Sequence, residues 1–221
     1  MTALLTENGC HNSEEAKAQE CLVGAAILDW FSNLLIAPPN IKLLAEYQTN
    51  ALSEFLEELG LSLNATKLTG SLTKCLQSNS PEALQHLLSR QYVALFDGFA
   101  GPNTVPPYES YYKDAQGRLF QQPYVEMLNI LGALDVSVAS NCKEPADHLA
   151  LELAALAEAL RQQNSPFIVN LVDRLMSWVP AMGDAVGEKA NASFYAELLA
   201  LLVVYLSSLN SHLQAENIVI H

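Results

Sequence analysis

Positive charge is scarce in this chain of 221 residues. Lys and Arg number 11 in total against 24 Asp and Glu, which gives a formal net charge of -13. Binding to nucleic acid needs clustered cations that displace the counterions of the phosphates, and anionic membrane surfaces attract the same cations. We therefore expect neither nucleic acid nor a membrane surface as a partner. The acidic surface either serves solubility alone or favours a basic partner.

Cysteine pairs with the spacing of zinc knuckles or redox motifs are also missing. No two cysteines form a C-x-x-C pair, and a disulfide scaffold would be denser in cysteine. We therefore predict reduced, mostly buried thiols in the cytosol. The cysteines are Cys10, Cys21, Cys75 and Cys142.

The sequence also lacks an export signal and a long hydrophobic run. Residues 1–15 contain no cationic stretch followed by an apolar run, which a secretory signal would require. The longest aliphatic run, residues 198–206, is too short to span a bilayer and is expected to be a buried helix. These absences predict a cytoplasmic protein without stable membrane insertion.

The common catalytic and cofactor motifs are absent as well. The chain has no G-x-S-x-G, no glycine-rich phosphate loop and no H-E-x-x-H. His148 and Glu152 have a spacing that allows two metal ligands, but a zinc site needs a third, so we expect no metal. A non-enzymatic protein is the main prediction. The alternative is a small helical nucleotide-binding protein, or a hydrolase in which Asp147 and His148 together act as the catalytic base.

Helix signals run through almost the whole sequence. The run Ser80-Pro81-Glu82 combines a capping hydroxyl, a proline suited to the first helical position and an acid behind it. No segment alternates with the period of two that strands require. The sequence therefore predicts an all-α fold, with one globular domain of about seven to nine helices. The predicted helices lie at 13–36, 41–59, 65–77, 122–134 and 192–210, with others starting at 81, 145 and 166.

A stretch rich in turn-forming residues interrupts this pattern. Residues 98–102 read Gly-Phe-Ala-Gly-Pro, and a tight turn is predicted at 114–117. We predict a hinge over about 98–121, between an N-terminal helical half (about 1–107) and a C-terminal helical half (about 122–221). Exchange of the halves between two chains would give a domain-swapped homodimer. The expected state is a monomer or such a dimer.

One segment places polar groups at a helix start. Residues 144–148 read Glu-Pro-Ala-Asp-His, and Glu152 follows one turn later. If Pro145 is the first helical residue, Asp147 can accept a hydrogen bond from the Glu144 N–H as a helix cap. His148 is predicted to lie beside the apolar stripe and to pair with Glu152, which would leave one ring nitrogen free for a ligand.

A second segment places aromatic residues after the turn-rich loop. Residues 106–112 read Pro-Pro-Tyr-Glu-Ser-Tyr-Tyr. Aromatic rings with hydroxyl groups bind peptides of mixed polarity well. These tyrosines are therefore either core residues or part of a peptide-binding site.

Together, in this order and at this separation, the two segments resemble the TorD/DmsD family of cytoplasmic chaperones for twin-arginine-exported molybdoenzymes. The resemblance covers residues 91–156 in detail and extends more loosely to 193–195. The chain departs from the family at Tyr108 and Tyr112, where members often carry Trp, and at Ala146, where they often carry Asp. Loop motifs of the nitrate-reductase-type members are not found, which favours the trimethylamine-oxide or dimethyl-sulfoxide side of the family.

The resemblance implies a chaperone without catalytic activity or a cofactor of its own. Its partners would be the apo-form of a molybdoenzyme catalytic subunit and the twin-arginine leader of that subunit. It would assist cofactor insertion and hold back premature export, and the resemblance also implies weak guanine nucleotide binding. A third interpretation is a structural adaptor in which the Asp-His pair only caps a helix.

The resemblance further implies which residues form the site. The aromatic segment and the Asp-His pair would line one groove, and acidic side chains would bind the two arginines of the leader. The predicted signal-peptide and client-binding residues are Pro107, Tyr108, Ser110, Tyr112, Glu144, Asp147, His148 and Glu152.

Overall fold

The computed structural model describes residues 7–97, 104–136 and 142–219. Within these ranges the chain forms eleven α-helices, and the only β-type pairing there is an isolated antiparallel bridge between Tyr108 and His148. The predicted all-α fold is confirmed. The helices are α1 (Glu7–Leu35), α2 (Ile41–Tyr47), α3 (Asn50–Ser62), α4 (Thr66–Gln77), α5 (Pro81–Phe96), α6 (Glu109–Lys113), α7 (Gln122–Ala133), α8 (Leu149–Arg161), α9 (Ser165–Met176), α10 (Val179–Lys189) and α11 (Phe194–Val219).

Several helices start where local sequence signals predict them. Before α2, Asn40 Oδ1 accepts a hydrogen bond from Leu43 N at 2.9 Å. Before α5, Ser80 Oγ accepts one from Ala83 N at 3.4 Å, and Pro81 occupies the first turn. These side chains satisfy backbone donors that have no partner inside the helix.

The described residues form more helices than the seven to nine predicted, because two predicted helices are divided and the short helix α6 was not predicted. The helix predicted over 41–59 ends at Tyr47, and a new one starts after Thr49, whose backbone is extended with φ -80° and ψ 157°. The second break follows Met176. Pro180 lies in the first turn of α10, where the missing proline N–H costs no helical hydrogen bond.

The core is organised around the packing of α1 on α8. Leu28, Phe31 and Leu34 of α1 are fully buried. The facing helix α8 has several buried alanines, and small side chains leave room for neighbouring helices to approach closely. Ser32 Oγ also donates a hydrogen bond to the Ala150 carbonyl at 2.8 Å. The buried alanines of α8 are Ala150, Ala155, Ala157 and Ala159.

The last long helix, α11, closes the core against α4, α5, α9 and α10. Over Phe194–Ala215 it is long and apolar enough to cross a bilayer. Leu198, Leu201 and Leu206 are nevertheless fully buried inside the protein. The predicted buried helix over 198–206 is therefore confirmed, and α11 does not indicate a membrane protein.

Both helical halves contribute to one buried cluster. Because α1 packs on α8, and α4 and α5 pack on α11, the core crosses the predicted boundary. Residues 98–103 of the predicted hinge lie outside the described residues, and 104–121 contains the short helix α6. The hinge and the exchange of halves stay predictions.

No disulfide joins the cysteines that the structure describes. Cys21, Cys75 and Cys142 are half-buried, and burial raises the pKa of the Cys75 thiol. The side chain of Cys10 lies outside the described residues.

Candidate functional site

The two segments singled out by sequence lie side by side. Leu149 N donates a hydrogen bond to the Pro107 carbonyl at 2.8 Å, and Glu109 N donates one to the Asp147 carbonyl at 3.0 Å. These bonds form the antiparallel bridge that pairs Tyr108 with His148. The backbone of the aromatic segment is therefore fastened directly to the start of α8.

Helix α8 begins later than the sequence predicts. The sequence predicts that the helix begins at Pro145, but Leu149 is its first residue and His148 is its N-cap. Before it, His148 N donates to the Pro145 carbonyl at 3.0 Å in a turn. The physical reason is the bridge, because pairing with residues 107–109 holds His148 in extended backbone (φ -73°, ψ 135°), and Asp147 lies in the turn before it.

The environment of His148 also differs from the expectation. The imidazole is buried, and its Nδ1 accepts a hydrogen bond from Ala150 N at 3.1 Å. The His148 and Tyr108 rings pack edge-on, with their centroids 5.2 Å apart. Burial lowers the pKa of His148 to about 3, so the ring is neutral near pH 7. The predicted position beside the apolar stripe and the predicted pairing with the Glu152 side chain are wrong, because the ring serves as the cap of α8.

Asp147 is a cap, but of a different helix from the one predicted. Its Oδ2 accepts a hydrogen bond from Ser110 N at 3.0 Å, so it caps the first turn of α6. The predicted cap on Glu144 N–H is wrong, because Asp147 precedes α8 instead of lying in its first turn. Tyr108, the N-cap residue of α6, makes no side-chain cap of its own. Asp147 therefore joins the two segments through a side chain as well as through the backbone.

Ser110 connects α6 to the following turn. Its hydroxyl oxygen accepts a hydrogen bond from Gln121 N at 3.2 Å, and the side chain is fully buried. The predicted turn at 114–117 is confirmed by the bond from Gly117 N to the Asp114 carbonyl at 3.0 Å. Gly117 has φ +66°, and a Cβ there would lie 2.9 Å from the Tyr111 ring. Only glycine suits this backbone without strain.

Glu152 belongs to a buried ionic network that sequence reasoning missed. Trp178 Nε1 donates a hydrogen bond to Glu152 Oε2 at 3.2 Å. Arg174 forms ion pairs with Glu109, with Glu126 at 2.8 Å, and with Glu152 at 3.8 Å between Nε and Oε1. The guanidinium thus ties α6, α7, α8 and α9 together. A sequence signal existed, since Arg174 lies between Leu171 and Leu175, on the apolar side of its helix.

The side chains that remain open to solvent lie at the edge of this scaffold. The Tyr108 hydroxyl donates a hydrogen bond to Glu144 Oε2 at 2.7 Å, and both residues are half-buried. Burial, with the hydrogen bond to Glu144, raises the pKa of Tyr108, so the phenol keeps its proton. Tyr112 is half-buried with its ring 5.2 Å from the Trp178 ring.

The eight predicted site residues therefore separate into two groups. Tyr108, Tyr112 and Glu144 have exposed surface, whereas the remaining five are buried. The buried group offers no surface to a ligand in this conformation. Its members are Pro107, Ser110, Asp147, His148 and Glu152.

The structure does not support the alternative in which Asp147 and His148 act as catalytic bases. His148 Nδ1 is occupied by a backbone donor, and Asp147 is fully buried, so neither is an accessible base. Across residues 7–97, 104–136 and 142–219, no group of three or more His, Cys, Asp or Glu side chains could hold a metal ion. At the edge of the scaffold the arrangement instead joins an aromatic hydroxyl and a carboxylate, both half-buried.

Comparison with known proteins gives the family. A family model described as "Nitrate reductase delta subunit" matches residues 58–182, and the chain belongs to this family. It is similar to the chaperone protein TorD of Aliivibrio fischeri, with 27% identity over 195 residues that cover 82% of this chain and 90% of the relative. It is also similar to TorD of Vibrio parahaemolyticus, with 29% identity over 214 residues that cover 87% and 95%.

A solved structure shows a looser likeness. It is described as a redox enzyme maturation protein from Archaeoglobus fulgidus, and it has 20% identity and a TM-score of 0.48 over 86% of this chain and 93% of that one. The resemblance read from residues 91–156 is confirmed by the family and the TorD relatives. The family and the TorD relatives also confirm the prediction of a non-enzymatic chaperone in molybdoenzyme maturation.

Proposed function

We propose that this chain is a cytoplasmic chaperone that binds the twin-arginine leader and the apo-form of a molybdopterin-containing oxidoreductase. It assists cofactor insertion into this client and holds back premature export. Membership of the family supports the chaperone role. The single observation that carries leader binding is the half-exposed pair of Tyr108 and Glu144, joined at 2.7 Å.

The Tyr108–Glu144 pair can make two kinds of contact with a leader. The Glu144 carboxylate can accept charge-assisted hydrogen bonds from an arginine of the leader. The ring of Tyr108 presents an apolar face next to that carboxylate, and such a face binds the apolar residues that follow. The Tyr108 hydroxyl keeps Glu144 in place before the leader arrives, which reduces the entropy lost on binding.

The buried residues of the predicted site act by positioning this pair. Asp147 caps α6 and His148 caps α8, so the ends of both helices are held where the bridge joins them. Ser110 holds the following turn through Gln121 N. We therefore propose that these residues hold Tyr108 in place and do not contact the leader.

The charge of the whole chain supports a basic client segment. A formal net charge of -13 attracts a cationic peptide over long range and raises its association rate. Screening limits this attraction to about 8–10 Å at physiological ionic strength. Leader binding should therefore weaken as the salt concentration rises.

Titration calorimetry with a synthetic twin-arginine leader of a molybdopterin oxidoreductase from the same genome tests the proposal. Glu144→Gln should weaken binding by about tenfold, equivalent to about 1.4 kcal/mol for a lost charge-assisted hydrogen bond. Glu57→Gln on the exposed face of α3 removes the same charge and serves as the control. Equal losses in the two variants would show that only net charge matters, and absence of binding to the wild type would refute the proposal.

Weak binding of a guanine nucleotide is a separate proposal that rests on the resemblance alone. No residue is assigned to it, because the chain has no glycine-rich phosphate loop. Equilibrium dialysis with GTP tests this proposal. Equal GTP concentrations on the two sides of the dialysis membrane would reject it.

A further inference from the structure

Two acidic side chains lie buried against one arginine. Glu109 is 3% exposed and Glu152 is 0% exposed, and they come from α6 and α8 respectively. Arg174 of α9 forms ion pairs with both, and also with the more exposed Glu126 of α7. One guanidinium therefore pairs with three carboxyl groups, and two of these are buried away from solvent.

The hydrogen bonds of this cluster are incomplete if every carboxyl group is ionised. Among the described residues, Glu152 Oε1 is buried, accepts no hydrogen bond and lies 3.8 Å from Arg174 Nε, while Glu109 Oε2 is in ion-pair contact with Arg174 without the geometry of a hydrogen bond. A carboxylate only accepts hydrogen bonds, so two neighbouring carboxylates repel each other and cannot satisfy each other. A proton on one of them turns that repulsion into a hydrogen bond, as in other paired carboxyl groups.

We propose that Glu109 and Glu152 hold one proton between them, carried on Glu152, and that this proton fastens residues 104–113 to α8 and α9. Glu109 then stays ionised and paired with Arg174, while Glu152 donates to it. Loss of the proton leaves two buried carboxylates facing each other, and Glu109 moves out with α6.

The charges around the pair support this assignment of the proton. Desolvation raises the pKa of Glu152 well above its usual value and the Glu109 charge raises it further, while Arg174 and Trp178 act in the opposite direction. Desolvation also raises the pKa of Glu109, against the lowering influence of Arg174. The titratable and charged groups facing the pair are Lys113 from α6, Glu126 from α7, Asp147 ahead of α8, and Arg174 from α9.

The stability of the closed state decreases as the pH rises. The closed state binds one proton that the open, solvated state releases above the ordinary carboxyl pKa. The closed state is therefore fully stabilised below that ordinary pKa, and it loses stability as the pH rises toward the raised pKa of Glu152. Between these limits the opening constant rises about tenfold per pH unit, because one proton is released, and it levels off above the raised pKa.

The consequence for a client rests on the proposed function. Residues 104–113 carry Tyr108, so opening of this segment would separate Tyr108 from its partner Glu144. The chaperone would then hold a leader more weakly as the pH rises. Opening can be measured in the protein without any leader, and the outcome of that measurement is independent of the proposed function.

Amide hydrogen exchange of the free protein measures the opening. The reporters are the N–H groups of Ser110 and Leu149, which donate across the two segments at 3.0 and 2.8 Å. After correction for intrinsic base catalysis, we expect the opening constant to rise about tenfold per pH unit in the wild type. Glu152→Gln keeps a permanent donor in place of the proton and should make the constant independent of pH. Glu126→Gln leaves the buried pair intact and should retain the wild-type slope.

Infrared spectroscopy of the wild type provides a second measurement that needs no variant. The carbonyl stretch of a protonated carboxyl group should be present below the raised pKa of Glu152 and disappear at the pH where the opening constant levels off. Absence of that band, a wild-type opening constant that is flat with pH, or a slope that persists unchanged in Glu152→Gln would each overturn the proposal.

Discussion

The carboxylate of Asp147 caps a helix to which it does not belong. Its Oδ2 accepts a hydrogen bond from Ser110 N at 3.0 Å, across 37 positions of sequence. A carboxylate at this place satisfies a backbone donor of α6 and interacts favourably with the partial positive charge of the helix end. The short helix that follows Tyr108 is thus held by a residue from the start of α8.

Replacement of Asp147 tests this tertiary cap. Asp147→Ala should lower the free energy of unfolding by about 1–3 kcal/mol, because it leaves Ser110 N buried without an acceptor. Urea denaturation measures the change. Asp173→Ala, on an exposed position of α9, is the control and should change stability by less than about 0.5 kcal/mol. Equal effects would mean that Asp147 contributes only its charge.

The pH dependence of stability should show the buried, neutral His148. The pKa of His148 falls from 6.5 to about 3 on folding. The contribution of the neutral His148 to the free energy of unfolding is therefore complete above pH 6.5. It is lost as the pH falls toward 3, by about 1.4 kcal/mol per pH unit. His148→Asn keeps a cap acceptor but does not titrate, so the difference between the two unfolding curves should carry this slope. A pH-independent difference would contradict the burial of a neutral imidazole.

Local signals explain which parts of the fold the sequence could predict. Ser80 and Pro81 are adjacent to the helix that they start, so composition at that point determines the outcome. The same reasoning failed at Pro145. There the deciding interaction is the bridge from residues 107–109 to His148, which lies far away in sequence and has no local signature.

The site shows the same limit. The resemblance brought the two segments together, and the structure places them side by side through Leu149 N and the Pro107 carbonyl. Which side chains are buried could not be predicted, since His148 and Asp147 are capping residues only because the bridge positions them. Arg174 was missed because its partners lie on three other helices.

Arg174, whose side chain is 9% exposed, should contribute far more to stability than a surface arginine. Arg174→Ala leaves the buried Glu109 carboxylate without its cation and should cost about 3–5 kcal/mol. Arg161 pairs with Asp29 and Glu158 at the surface, so Arg161→Ala should cost at most about 1 kcal/mol. Thermal and urea unfolding of the two variants provide the comparison. Similar losses of stability in the two variants would show that the ion pairs of Arg174 stabilise the protein no more than surface ion pairs do.

The predicted hinge over 98–121 leads to an expectation for assembly. If the segment opens, the helical halves exchange between two chains and reproduce the same internal contacts in a dimer. Light scattering over a concentration series should then detect monomer and a slowly exchanging dimer. A strictly monomeric profile after prolonged incubation at high concentration would count against the hinge.

A double-mutant cycle between Glu144 and the leader arginines is the most direct test of the proposed function. Calorimetry would compare wild type and Glu144→Gln, each with a twin-arginine leader and with a leader whose two arginines are glutamines. If Glu144 binds an arginine, the two changes should be non-additive, with a coupling energy of about 1 kcal/mol or more. Strictly additive losses would mean that Glu144 does not contact the arginines and would contradict the role proposed for the Tyr108–Glu144 pair.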